Sequence, residues 1–258
     1  LNILERIVKE KRKELEKITE RELHEVREKA FSSPPPKSFI SAISSNGLSI
    51  IAEVKRASPS KGDINPNLDP QKLAKSYEAG GASAISVLTD EKFFKGSLKD
   101  LSIVANSVNL PVLRKDFIIH EYQIYTARIH GASSFLLIAG ILEEEKLKRF
   151  ISIGRNLGME PLVEVHTEEE ARKAISAGAF IVGINNRNLK NFSVSLETTL
   201  KLCDFLKSFN KLVVSESGIS KDEDILMLKS AGVDGVLVGE ALVKSGKPDE
   251  VIKRWLSL

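Results

Sequence analysis

Residues 50–62 read IIAEVKRASPSKG. Side chains alternate across a strand, so Ile51, Glu53 and Lys55 share one face, and the loop RASPSKG follows. A run this apolar belongs in a strand covered on both sides, as in a parallel sheet. Its last positions nevertheless aim an acid and an ammonium into the same interior. Burying such groups without partners is costly, so the end of this strand must meet other polar groups.

The same pattern recurs along the chain. LSIIAEVK, SAISVLTD, LPVLRKD, SSFLLIAG, EPLVEVH, AFIVGINNR, KLVVSESG and DGVLVG are short runs rich in Val, Ile and Leu, separated by charged segments with helical periodicity. Several follow a glycine–alanine turn suited to the left-handed end of a helix: Gly80-Gly81-Ala82, Gly131-Ala132, Gly178-Ala179 and Ala231-Gly232. Parallel strands need long crossovers, so strand–helix alternation of this kind implies a parallel sheet. The expected fold is α/β, a (β/α)8 TIM barrel over residues 47–258 behind an N-terminal helical extension over 1–46. An open doubly wound sheet is the alternative, weakened because no G-x-G-x-x-G follows the first strand. In the extension, Ile3, Leu4, Ile7, Val8, Lys11, Leu15 and Ile18 predict one helix from residue 2 to about 29, ended by the prolines of SSPPPKS.

Composition narrows the function. The 258 residues are 42% hydrophobic and 28% charged, enough for a full core. A net charge of +3, with no basic stripe carrying aromatics, argues against nucleic acid. No run approaches the roughly 18 apolar residues of a membrane span, and the N-terminus lacks a signal peptide's apolar block. Cys203 is the single cysteine, with no disulfide partner in the chain. The expected setting is the cytoplasm, with a small-molecule ligand and no nucleic acid, membrane or obligate protein partner.

Nearly every strand turns polar at its carboxyl end: Glu53 and Lys55, then Arg114-Lys115-Asp116, Glu164 and His166, Asn185-Asn186-Arg187, and Ser215-Glu216-Ser217-Gly218. Any one of these is as easily the first solvated residue of its strand. Converging carboxylates, lysines and an asparagine on one barrel rim instead describe an active site. SESGI and VLVGEAL put small residues at loop and short-helix starts, where backbone donors suit a phosphate; tight turns alone would also use Gly218 and Gly239. The four histidines show no metal-ligand spacing, and His166, alone at the rim, reads as a polar edge residue rather than a catalytic one. Trp255, in the last helix, reads as an anchor against the outside of the barrel.

IIAEVKRASPSKG, LRKDFII, MEPLVEVH, GINNRNL, SESGI and VLVGEAL together resemble, in order and spacing, the strand-end signatures of the indole-3-glycerol phosphate synthase family. The likeness spans essentially the whole chain. It implies closure of 1-(2-carboxyphenylamino)-1-deoxyribulose 5-phosphate to indole-3-glycerol phosphate, with loss of carbon dioxide and water. By the same resemblance, Lys115 is the general acid on the substrate's ketone oxygen and Glu164 the carboxylate of proton transfer in the dehydration. Lys55 meets the substrate's anionic groups, including phosphate, and Glu53 orients it. Asn185 and Glu216 surround the reacting centre, with Ser58 and Arg187 in support. Gly218, Gly239 and the backbone of Glu240 cradle phosphate beside Ser217, and Phe93-Phe94 falls where the family walls in the aromatic ring. Glu240 stands where some members have serine, and Gly140 lacks a side chain others use at the rim.

The implied chemistry needs no metal and no cofactor, because ring closure itself leaves an iminium-like electron sink. A cation near Lys115 would lower its pKa and make it a readier donor, whereas Glu53 and Glu164 would hold it charged; the sequence leaves the balance open. Two rivals remain at this stage. One is a phosphosugar aldolase using Lys115 or Lys55 as a Schiff-base amine, and the other a barrel that binds phosphorylated ligands without turning them over.

Overall fold

A computed structural model describes residues 2–44, 47–188 and 191–258. Eight parallel strands close a barrel: β1 (Ser49–Val54), β2 (Ala84–Leu88), β3 (Val112–Lys115), β4 (Ser134–Ile138), β5 (Leu162–Val165), β6 (Ile181–Asn185), β7 (Leu212–Glu216) and β8 (Gly235–Val238). Each pairs with its neighbour in the chain. β8 returns to β1 in register Ile51↔Leu237, which closes the ring and rules out the open sheet. Asn46, at the expected boundary of the extension, and Leu189, which ends GINNRNL, lie outside the described residues.

The alternation along β1 sorts its side chains into two cores. Ile50, Ala52 and Val54 face the surrounding helices. Ile51 faces the barrel interior with Leu113, Leu162, Ile181 and Val214. Local signals set the helices between strands. Before Pro70–Gly80, the Asp69 carboxylate accepts from Gln71 N at 3.0 Å and Lys72 N at 3.1 Å, and Pro70 opens the first turn. Gly81 then ends that helix at φ 93°, a conformation that a Cβ would strain. Trp255 is buried at 2% exposure against the outer core, where its indole donates to Asp222 Oδ1 at 2.9 Å.

The extension corrects the expectation of one long helix. It forms α1 (Ile3–Leu15) and α2 (Glu20–Ser32), followed by a short α3 (Phe39–Ile43). The break has a local cause. Thr19 Oγ1 accepts from Glu22 N at 3.2 Å while Glu22 Oε2 accepts from Thr19 N at 2.8 Å, a capping box that starts a new helix. Above the barrel, α1 presents Ile3, Leu4 and Ile7 to the cavity at the strands' carboxyl ends. At the opposite end, α3 plugs the floor with Phe39 and Ile43, and Ser49, which opens β1, donates to Ala42 O at 3.0 Å. Burying each plug side chain contributes roughly 2 kcal/mol.

Candidate active site

A cavity of about 980 Å³ opens at the carboxyl ends of the strands. All but Phe93 of the residues singled out in the sequence for catalysis, substrate or phosphate line it: Glu53, Lys55, Ser58, Phe94 and Lys115 from the first half of the chain gather with Glu164, Asn185, Arg187, Glu216, Ser217, Gly218, Gly239 and Glu240 from the second. Inward positions at the ends of β1, β3, β5, β6 and β7 supply the polar floor, because the same alternation that turns Ile51 inward turns Glu53 inward two residues later.

Lys115 Nζ is the hub of that floor. It stands 3.6 Å from Glu216 Oε2 and 3.9 Å from both Glu53 Oε2 and Glu164 Oε2. Lys55 Nζ pairs more tightly with Glu53 Oε1 at 2.8 Å, and Ser86 donates to the other oxygen at 3.2 Å. Asn185 Nδ2 donates to Glu164 Oε1 at 3.1 Å. Burial works to lower the Lys115 pKa, but the charges of Glu53, Glu216 and Glu164 outweigh it, and the pKa is raised. Glu53 moves down: burial favours its neutral form, and Lys55 and Lys115 overcome that. Glu216 moves the other way. Burial and the charge of Glu164 push it up to about 8 against the pull of Lys115, and both its oxygens lack hydrogen-bond partners among the described residues. Burial and Glu164 thus favour the neutral form of Glu216, while Lys115 favours its charged form.

Two glycines make room for these acids. A Cβ on Gly183 would sit 2.0 Å from Glu216 Oε1, and one on Gly239 would sit 2.9 Å from Glu53 Oε1. Ser217 adopts φ 66°, a conformation a non-glycine residue rarely holds, and with Gly218 it bends the chain after β7 around the cavity wall.

The aromatic wall sorts the two adjacent phenylalanines. Phe94 lines the cavity with its ring 5.9 Å from that of Phe117, whereas Phe93 lies in a smaller outer depression beneath Lys92. Sequence reading missed Phe117, the apolar face of α1, and Lys61 and Lys244, which reach the cavity near Glu240. Lys244 Nζ pairs with Glu240 Oε1 at 2.7 Å, and Lys61 is 3.9 Å from the same oxygen. Burial raises the Glu240 pKa and these lysines bring it down overall. Its charge is thus balanced beside the cavity.

Residues 4–255 match the family model described as indole-3-glycerol phosphate synthase. The chain belongs to the indole-3-glycerol phosphate synthase family. It is 49% identical over 255 residues to the enzyme of that name from Trichodesmium erythraeum, covering 96% of this chain and 86% of that one. The Aquifex aeolicus enzyme is 51% identical over 219 residues, covering 84% and 85%, and the Roseiflexus enzyme 47% over 253 residues, covering 93% of each. Among solved structures, thiamine phosphate pyrophosphorylase from Pyrococcus furiosus superimposes with a TM-score of 0.61 at 17% identity, over 81% of this chain and 93% of that one, which shows the shared barrel alone. The reaction is therefore that of an indole-3-glycerol phosphate synthase. It is a carboxy-lyase step of tryptophan biosynthesis that closes the carboxyphenylamino-deoxyribulose phosphate into indole-3-glycerol phosphate. Membership decides against both the aldolase and the non-catalytic barrel. Among the described residues, no helix is long and apolar enough to cross a membrane.

Proposed function

We propose that Lys115 protonates the ketone oxygen as the ring closes and that Glu164 carries protons in the dehydration. The observation that carries this reading is the single ammonium 3.6 to 3.9 Å from three buried carboxylates at the cavity floor. Those charges keep the amine protonated until the ketone oxygen, gaining negative charge in the transition state, takes the proton. In the same reading, Lys55 meets the substrate's carboxylate and phosphate while Glu53, 2.8 Å away, orients it. Asn185 holds Glu164, and Glu216 completes the ring of carboxyl groups around Lys115. Phe94, with Phe117, stacks on the aromatic ring. Ser58 and Arg187 give supporting contacts, and Ser217, Gly218, Gly239 and the Glu240 backbone receive the phosphate at the cavity end where Lys61 and Lys244 also stand.

The division into an extension to residue 46 and a barrel from 47 belongs to this reading, supported by all eight barrel strands falling after that point. We further infer action in the cytoplasm without nucleic acid, membrane or an obligate protein partner, a reading supported by the modest +3 charge and single cysteine. The decisive experiment is incubation with the carboxyphenylamino-deoxyribulose phosphate while following indole fluorescence. Lys115→Ala abolishes the signal with the fold intact, and Glu164→Gln lowers it roughly 10²–10⁴-fold. Near-normal turnover by Lys115→Ala would remove the lysine from its role.

A further inference from the structure

The reaction consumes a proton. The ketone oxygen departs as water and needs two protons. The substrate itself releases only one, from the methylene carbon beside the nitrogen as the indole double bond forms. The aryl carbon keeps the electron pair of the bond to carbon dioxide, so an ionised carboxylate releases no proton on leaving. If Glu164 takes the methylene proton and returns it to the departing hydroxyl, Lys115 ends each turnover as a neutral amine. A proton must then reach it from solvent.

Behind Glu164 stands a group positioned to deliver one. His166 follows β5 directly and is absent from the residues that line the cavity. Its buried Nε2 has no hydrogen-bond partner among the described residues and points at Glu164 Oε1, 3.6 Å away. On the far side, His166 Nδ1 is 3.3 Å from Glu170 Oε2. Glu170 is firmly placed: its Oε2 accepts from His166 N at 2.7 Å, and its own N donates to Thr167 Oγ1 at 3.2 Å. Gly140 clears the space it occupies, since a Cβ there would lie 2.7 Å from Glu170 Oε1. The missing side chain at position 140 thus admits a second carboxylate behind the histidine. Exposure of the side chains rises outward, from 3% at Glu164 to 17% at His166 and 22% at Glu170. Glu216 is nearer to Lys115 than Glu164 but is sealed at 1% exposure, and the 17% exposure of Lys115 itself is toward the cavity that substrate and product fill, so the route that stays open while the cavity is occupied runs through the histidine.

We propose that Glu170 and His166 form a proton relay that recharges Lys115 through Glu164 between turnovers. The relay rests on the roles given above to Lys115 and Glu164. Its steps balance: a proton from water reaches Nδ1 by way of Glu170 as His166 Nε2–H passes to Glu164 Oε1, the Glu164 carboxyl passes a proton to Lys115 Nζ, and the imidazole, left as its Nδ1–H tautomer, returns to the Nε2–H tautomer by proton exchange with water before the next turnover. One proton moves inward, no heavy-atom bond changes and no electrons are exchanged. The charges facing the imidazole suit a proton carrier. Burial disfavours its cation, but the Glu170 hydrogen bond and the charges of Glu164, Glu170 and Glu216 raise its pKa. Neither His166 nor Glu170 touches substrate; both act through Glu164.

The test separates the first turnover from those that follow. Rapid-quench measurements on His166→Gln and Glu170→Gln should show a first turnover at the wild-type rate and later turnovers slowed about tenfold or more, restored by imidazole buffer. Glu170→Gln retains an amide oxygen for the His166 N–H, so it separates loss of the proton path from loss of local structure. First and later turnovers slowed together, or both unchanged, would overturn the relay. Glu164→Gln tells the two levels apart. A crippled first turnover there, beside wild-type kinetics in both relay variants, sinks the relay alone, whereas a normal first turnover sinks the role of Glu164 itself.

Discussion

Lys115 and Asp116 are consecutive, yet they belong to two charge clusters of opposite character. Asp116 sits in a closed one. Its carboxylate accepts from Thr89 Oγ1 at 2.6 Å, Arg114 at 3.0 Å and its own neighbour Phe117 N at 2.8 Å. Lys11 of α1 completes that cluster, 3.3 Å from Asp116 and 2.9 Å from Asp90. Burial opposes the charges of Lys11 and Asp116, and their partners win in both cases, raising the lysine and lowering the aspartate. Around Lys115 three glutamates stand at 3.6 to 3.9 Å, and both Glu216 oxygens lack hydrogen-bond partners among the described residues. The first cluster holds a helix to the barrel. The second is left incomplete, in a state that a polar substrate can finish.

Removing one partner from the closed cluster should have the largest effect on stability. Lys11→Met takes the cation from buried Asp90 and one of two cations from buried Asp116, and should cost about 3 kcal/mol or more at pH 7, read from urea unfolding. A loss below about 1 kcal/mol would erase the distinction between the clusters.

The open cluster should show itself in pH dependence. Because folding raises Glu216 from 4.5 to about 8, the folded protein binds the extra proton between those values. Stability from this group is therefore greatest at low pH and falls as pH rises toward 8, by on the order of 1 kcal/mol per unit at most. Glu216→Gln should remove that decline when unfolding is compared at pH 6 and pH 8. An unchanged slope would mean that another group produces it.

An exposed pair gives the baseline. Lys253 and Asp249 face each other across a helix turn at 3.8 Å with side chains 60% and 35% exposed, and Lys253→Ala should shift stability by less than about 0.5 kcal/mol. A larger loss would show that proximity alone, without burial, accounts for the contrast.

The same contrast explains what could be read from the sequence. The barrel strands were legible because doubly covered parallel strands must be continuous Val, Ile and Leu runs. The open cluster was legible because a charge ending such a run has few bland explanations. Lys11 was visible only as one member of a helical stripe beside Ile7 and Leu15. Its partners lie 79 and 105 positions downstream (90 minus 11 and 116 minus 11), and nothing local announces them. The clue was a lysine occupying an otherwise apolar stripe. The split between α1 and α2 was present in the Thr19 and Glu22 spacing, and helical periodicity running across it masked the signal. The opposed pKa shifts of Glu53 and Glu216 arise because Lys55 and Lys115 both act on Glu53 whereas burial and Glu164 prevail at Glu216, an arrangement that no spacing along a chain encodes.

The floor plug has a consequence for how the molecule is made. Phe39 and Ile43 precede every barrel strand, yet the enclosure they fill is closed only when β8 pairs with β1, almost two hundred residues later. A growing chain therefore carries this greasy pair without its socket until all eight strands have emerged, and assembly of the ring gives the plug its seat late.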